Sequence, residues 1–464
     1  MIFNSLEYFV FLPIVVGMYF ALPLVPRRLA LLAASLYFYM YWKPEYVVII
    51  LVSCAIDWYA ALRIAATAEP RVRKRWLIAS ISTNLLILGT FKYYNFFVDS
   101  LQQVGIGESL PASDLILPLG ISFYTFQAMS FTIDVYRGKL EAPKSYLRVL
   151  LCVTFFPHLV AGPIVRASDL LPQFEVKQRF DWDNLTYGCQ RILNGFVKKS
   201  VIADNLAPWT DAVFSHPERY SSVGLVLATY AYAARIYCDF SGYSDIAIGS
   251  ARLMGIRFTE NFEAPYLSAS IQEFWRRWHI SLSTWLREYL YISLGGNRGA
   301  PWKTYRNLLL TMMLGGLWHG ASFNFVIWGT LHGLWLATER FYNERFGGPP
   351  RPPSEGLSAR LGRALKIVLV FHGVCLTWIF FVSRDLATST EVLSRIATFA
   401  PGNLVATSDW IKTLLAFALA CTYFIGVRFA NRGPAWRWWL TGVFGILLVI
   451  LFGTSSHEFI YFIF

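Results

Sequence analysis

The stretch LGGLWHGASFNFVIWGTLHGLW, residues 314–335, is apolar enough for a bilayer, yet it carries His319, His332, Ser322 and Asn324. A polar or ionisable side chain at membrane depth costs a few kcal/mol on insertion scales, so it faces protein or a water-filled cavity. An imidazole in such a place suits general-base work, because its pKa lies near operating pH. Gly316 and Gly320 form one GxxxG and Gly329 and Gly333 a second, and each histidine sits just before the second glycine of its pair. Small residues at that spacing let another helix approach closely. On one unbroken helix, the step of thirteen positions from His319 to His332 would place them on nearly opposite sides at 3.6 residues per turn, so they need not act together. No HxxxH or His/carboxylate pair gives either of them metal-site spacing.

A third histidine, His279, lies in WRRWHISLS. Its surroundings, QEFWRRWHISLSTWLREYLYISLGGNRGAPWKTYRN (272–307), mix Arg276, Arg277, Arg287, Arg298, Lys303 and Arg306 with Trp275, Trp278 and Trp285. That composition belongs to helices lying in a membrane interface. Two readings stand. The segment is an amphipathic anchor with Glu273 and Arg277 paired at i, i+4, or some of its arginines meet an anionic cytosolic substrate. His158, in FFPHLVAGPIVR, is read as bonding backbone freed around Pro157 and Gly162. Asp57, Asp134, Asp239 and Asp245, all in apolar context, are expected to pair with Arg63, Arg137, Arg235 and Arg252 or to bond hydroxyls.

The elements that must position these groups follow from composition. Of the 464 residues, 55% are hydrophobic and only 15% charged, and the mean hydropathy is +0.44. Apolar runs recur along nearly the whole length, so the chain reads as an all-α polytopic membrane protein, one integral-membrane domain over 1–464. About 10–12 spans are expected, with re-entrant and interfacial pieces where Pro118, Pro157 and Pro163 interrupt the central runs. The run from Glu7 is a retained first helix, lacking the cationic start and small-residue cleavage site of a signal peptide. The basic clusters after the first and third runs place the N-terminus outside the cytoplasm.

The net charge of +12 follows from basic cytoplasmic loops, and no motif points to nucleic acid. The six cysteines are scattered singly and read as small buried hydrophobes. Gly-x-Ser-x-Gly, P-loop and dinucleotide signatures are absent, which removes the usual hydrolase and nucleotidase readings.

The start MIFNSLEYFVFLP, the segments SFTIDVYRG, FFPHLVAGPIVR, CDFSGYSDIAIG, EFWRRWHISLSTWLREYLYISLGGNR and GGLWHGASFNFVIWGTLHG, and the ending FIYFIF together resemble the membrane-bound O-acyltransferase family. Within it they are most similar to the bacterial branch that contains the alginate O-acetyltransferase membrane subunit. The resemblance implies that His319 is the catalytic histidine and His279 the second functional one. It implies a ring of helices around a central funnel in the bacterial inner membrane. Acetyl-CoA, as substrate and not as resident cofactor, would enter from the cytoplasm with its phosphates near Arg276, Arg277 or Arg287. Trp318, Ser322 or Asn324 would shape the site or stabilise the oxyanion. A periplasmic acetyltransferase partner would complete transfer to a polysaccharide such as alginate. Two alternatives remain open: a D-alanyl or other acyl transferase fed by a carrier protein, and a polysaccharide or lipid transporter without transfer chemistry.

Overall fold

The computed structural model describes residues 1–106, 110–346, 356–405, 410–430, 436–454 and 459. The Pro-rich connector at 347–353, residues 431–435 of the second basic loop, His457 and the ending FIYFIF apart from Phe459 lie outside the described residues. Among the described residues there are twenty α-helices linked by short 3-10 and π segments, and the one non-helical pairing is an isolated bridge between Tyr220 and Asn403. The chain is an all-α, multi-pass membrane protein. It packs as two compact units, Met1–Gly195 with Tyr243–Thr259 and Phe196–Gly242 with Glu260–Phe464.

The first unit holds α1 (Leu6–Ala21), α2 (Leu24–Met40), α3 (Val47–Ala65), α4 (Pro70–Leu88), α5 (Tyr94–Gln103), α6 (Ile121–Tyr136), α7 (Tyr146–Thr154), α8 (Phe156–Leu159), α9 (Ala167–Glu175) and nearly all of α10 (Trp182–Phe196). Its centre is α6, in which every side chain from Ile121 to Thr132 is buried; a helix enclosed on all sides has no polar face to show. Between α7 and α8 the chain breaks at Phe155. His158 donates from Nε2 to the carbonyl of Cys152 at 3.1 Å, as expected of a ring covering backbone that Pro157 leaves exposed. Asp57 of α3 accepts from Ser80 Oγ at 2.5 Å and Asn84 Nδ2 at 2.9 Å on α4. Arg63 is not its partner; the hydroxyl alternative holds.

The second unit holds α11 (Asp204–Ser215), most of α12 (Ser222–Leu253), α13 (Ile271–Arg277), α14 (Ile280–Trp285), α15 (Pro301–His319), α16 (Phe323–Phe346), α17 (Leu357–Val382), α18 (Leu386–Ala397), α19 (Trp410–Ala430) and α20 (Trp436–Phe452). Here too the acidic pairings differ from expectation. Asp239 lies 2.8 Å from Lys199 Nζ, which also bonds Asp204 at 2.7 Å, all three buried. Arg235 instead donates to Thr210 and pairs with Asp211. In the first unit Asp245 pairs with Arg191 at 2.8 Å, not with Arg252. Lys199 thus sits between two buried carboxylates, and a pair within one helix would take one of them away.

By length and hydropathy alone, three helical segments among the described residues would cross a membrane: Pro44–Ala65, Leu357–Val382 and Ile411–Ala430. Leu6–Ala21 and Trp436–Phe452 are apolar but shorter, whereas α6, which carries Asp134, Ser122 and Ser130, is enclosed by protein. Apolar runs therefore mark more helices than a lipid-transfer criterion accepts.

The element that matters most for the site is the hairpin of α15 and α16. The chain turns over Gly320–Ser322, so the two histidines do not share one helix. A Cβ on Gly316 would strike the Phe325 carbonyl and lie 3.0 Å from Gly329 Cα, and one on Gly329 would strike the Met312 carbonyl. The two GxxxG motifs thus meet at Gly316 and Gly329, where only hydrogen atoms allow the backbones this approach. Gly329→Val is expected to lower stability by about 1–3 kcal/mol through overpacking, seen as a fall in the thermal midpoint of the detergent-purified protein. Gly442→Ala on α20, where a Cβ would meet nothing within 4 Å, should leave that midpoint unchanged or raise it.

Candidate functional site

Three histidines of the second unit are buried in one aromatic cluster. His319 ends α15 at 4% exposure. Its ring meets Trp328 at 5.2 Å and 89°, Phe381 at 5.3 Å and Trp318 at 5.0 Å between centroids. Trp318 also lies 6.3 Å from His279, so the two imidazoles share one indole neighbour and lie no further apart than those two distances added. Trp328 in turn lies 4.8 Å from His332. Trp278, Trp328 and Trp378 are each about 1% exposed; Trp378 stacks on Trp328 at 5.7 Å and meets Trp278 at a tilt at 5.1 Å. Tightly packed aromatic walls of this kind exclude water and hold a ring to one orientation.

His279 sits between α13 and α14 with φ +42, a left-handed conformation that costs a non-glycine residue about 1–3 kcal/mol. Asn261 holds it there. Its carbonyl accepts from Ile280 N at 2.9 Å. Its side-chain Oδ1 accepts from Ser281 N at 3.3 Å and Ser281 Oγ at 2.9 Å and lies 3.1 Å from His279 Nδ1. Because the Ser281 backbone N–H can only donate, the Asn261 atom facing it is the oxygen, and His279 Nδ1 must carry the proton. The lone pair of the ring is then on Nε2, the nitrogen that can take a proton.

His332, fully buried, bonds Thr377 Oγ1 from Nε2 at 2.9 Å, and that hydroxyl donates to the Val374 carbonyl at 2.8 Å. Asn324, 1% exposed, donates from Nδ2 to the Ser383 carbonyl at 2.9 Å. That bond fixes which way its amide points, so Oδ1 is presented, an acceptor. Ser322 Oγ accepts from the Asn324 backbone N–H at 3.2 Å and so caps the start of α16.

The arginines differ in their engagement. Arg277 pairs with Glu273 at 2.8 Å, the expected i, i+4 contact, and Glu273 also meets Arg363 of α17 at 3.2 Å. Arg287 pairs with its neighbour Glu288 at 3.4 Å. Arg276 is exposed and has no acidic partner among the described residues. Far from lying on the surface throughout, the segment 272–307 buries Phe274, Trp278, His279, Leu282, Trp285 and Tyr289. Glu339 of α16 accepts from the Ile271 N–H at 2.8 Å, which ties the segment to the charged ends of α16 and α17. Asn261, Trp328, Trp275 and Thr377 carry no spacing that marks them in the sequence. Asn261 lies eighteen residues before His279 in an irregular stretch, and only the folded chain brings it to the ring. Among the described residues no group of three or more His, Cys, Asp or Glu side chains is placed to hold a metal.

The class this defines is a multi-pass membrane protein whose candidate chemistry rests on imidazoles set in an aromatic interior. Residues 139–383, which include all three histidines, match the membrane-bound O-acyltransferase family. The chain is 44% identical over 411 residues to the probable alginate O-acetylase of Pseudomonas aeruginosa, covering 87% of this chain and 76% of that one. It is 42% identical over 441 residues to the probable alginate O-acetylase of Azotobacter vinelandii, covering 92% and 85%. It is 36% identical over 426 residues to the peptidoglycan O-acetyltransferase of Helicobacter pylori, covering 85% and 79%. The chain belongs to the membrane-bound O-acyltransferase family and is an O-acyltransferase.

Asn261→Leu removes the acceptor that orients His279. It is expected to lower turnover on the order of 10–100-fold in an acyl-transfer assay, with Asn261→Asp, which keeps an oxygen acceptor, retaining most activity.

Proposed function

We propose that the chain is a membrane O-acetyltransferase that takes an acetyl group from cytosolic acetyl-CoA and delivers it across the inner membrane for O-acetylation of an extracytoplasmic polysaccharide, with an alginate-type exopolysaccharide first among acceptors. The observation that carries this reading is the pairing of His319 and His279 around Trp318, with His319 at the end of α15 remote from a cluster of cations. Lys303, Arg306, Arg340, Arg345, Arg360, Arg363 and Lys366 lie toward one end of α15, α16 and α17, whereas the other end, around His319–Phe323 and Phe381–Arg384, bears Arg384 alone, paired with Asp385. By the positive-inside rule the first end is cytoplasmic.

The donor's phosphates then meet Arg276 first, with Arg277 and Arg287 reaching them only by exchanging their acidic partners. His319 takes the proton from an acceptor hydroxyl as its oxygen attacks the thioester carbon. The carbon–sulfur bond breaks, and the imidazolium returns the proton to the departing thiolate. His279, with its lone pair on Nε2, is the second proton-handling group. Asn324 Oδ1 suits the acceptor side, since it can receive a hydroxyl proton but cannot donate to an oxyanion. A periplasmic transferase partner completes delivery to the sugar.

The test uses purified protein in nanodiscs with acetyl-labelled CoA and a periplasmic fraction. His319→Ala is expected to cut CoA release by about 10²–10⁴-fold while the protein keeps its thermal midpoint, and His279→Ala to cut it as well. If wild type consumes no acetyl-CoA even with the periplasmic fraction, the donor is a carrier protein or the chain does not transfer from CoA. Unaltered turnover in His319→Ala would remove that residue from the chemistry.

A further inference from the structure

The hairpin of α1 and α2 sets the start of one helix beside the end of the other, and a groove of about 740 Å³ runs between them. Its α1 wall is Glu7, Val10, Phe11, Ile14, Val15 and Met18. Its α2 wall is Ala30, Ala33, Ala34, Tyr37 and Tyr41. Steps of three and four keep each set on one helical stripe. Three alanines on α2 leave space that larger side chains would fill. The groove opens outward, since Val10, Ile14, Ala33 and Tyr37 are all exposed, and its volume is that of a site for a small molecule. From Glu7 to Met18 is a step of eleven positions, about 16 Å of helix, or the depth of one leaflet in a hydrocarbon core about 30 Å thick. An apolar trough of that length fits one extended acyl chain.

The two ends of the groove differ. Met18 and Ala30 make one end apolar, whereas Glu7 and Tyr41 stand at the other, with Trp42 exposed next along the chain. Tyr and Trp are the residues of the headgroup zone. Glu7 is exposed and forms no ion pair with Lys or Arg among the described residues. The Met1 ammonium, which lines the same end, is bonded to the Phe38 carbonyl at 3.0 Å. A carboxylate so placed favours a cation that brings N–H donors. We propose that the α1–α2 groove is a phospholipid site, with one acyl chain lying along the alanines of α2 and the primary ammonium of a phosphatidylethanolamine headgroup bonded to Glu7. Phosphatidylglycerol has no amine and would set its phosphate charge against that carboxylate. Phosphatidylcholine has the positive charge but no N–H to donate.

The experiment is native mass spectrometry of the delipidated full chain in detergent, titrated with the palmitoyl-oleoyl forms of phosphatidylethanolamine, phosphatidylcholine and phosphatidylglycerol. Wild type, Glu7→Gln and Ala33→Phe are compared, and their thermal midpoints are recorded without lipid. Wild type is expected to bind one phosphatidylethanolamine about tenfold more tightly than either other lipid, the scale of a charge-assisted hydrogen bond, and to gain thermal midpoint on binding it. Glu7→Gln should still bind one lipid but lose the preference among headgroups. Ala33→Phe fills the groove from an exposed position and should weaken the first bound lipid of every kind about tenfold or more. Should Ala33→Phe lower the midpoint by itself, Glu7→Gln decides. Equal binding of the three lipids by wild type, or an unchanged preference in Glu7→Gln, would overturn the proposal. So would wild type holding lipid no more tightly than a folded Ala33→Phe. A mass of two chains that Ala33→Phe abolishes would give the groove to a second copy instead.

Discussion

The close approach of two backbones, Gly316 against Gly329, sets the geometry on which the candidate site depends. It brings α15 and α16 together as a hairpin, so that His319 at the end of one helix and His332 within the other both border Trp328. Without that contact the histidines would be carried apart by the helical repeat. The aromatic bulk of the cluster gathers around this pair: α17 contributes Trp378 and Phe381, α13 contributes Trp275, and Trp278 follows directly after it. The catalytic reading therefore rests on a steric fact, the absence of two side chains, as much as on any imidazole.

Hydrogen bonding then sorts buried polar groups by role. His158 is bonded to a carbonyl of its own neighbourhood, Asp57 is covered by Ser80 and Asn84, and Lys199 is held between two carboxylates; each is closed within its unit. Asn324 is different, because it spends Nδ2 on a backbone carbonyl and presents Oδ1. A group anchored on one side and open on the other is what a binding surface requires, since the anchor fixes direction and the open atom does the recognising. His279 shows the same design in stricter form, with Asn261 setting both its tautomer and its left-handed backbone.

Much of this was legible in the sequence. High hydropathy gave the all-α membrane architecture, the glycine spacing announced close helix packing, and Pro157 marked a real break. The i, i+4 pairing of Glu273 with Arg277 is present as expected. What could not be read was anything that depends on partners distant in the chain. Local arginines looked like natural counter-ions for Asp239 and Asp245, yet folding delivered Lys199 and Arg191. The segment 272–307 has the composition of an interfacial anchor, but its aromatic residues turn inward around His279. Periodicity describes one helix at a time, whereas these choices are settled by which helix arrives beside it.

The bonds from Asp57 to Ser80 and Asn84 carry a consequence for how the protein is made. A carboxylate in the middle of a lone span costs about 2.5–3.5 kcal/mol during insertion, and α3 has nothing of its own to offset it. The groups that do so lie on α4, which follows after a connection of only a few residues. The segment holding α3 is apolar enough to span by itself, and the arrival of α4 removes the one charge that counts against it. The buried carboxylate thus gives the first helix a reason to stay beside the second.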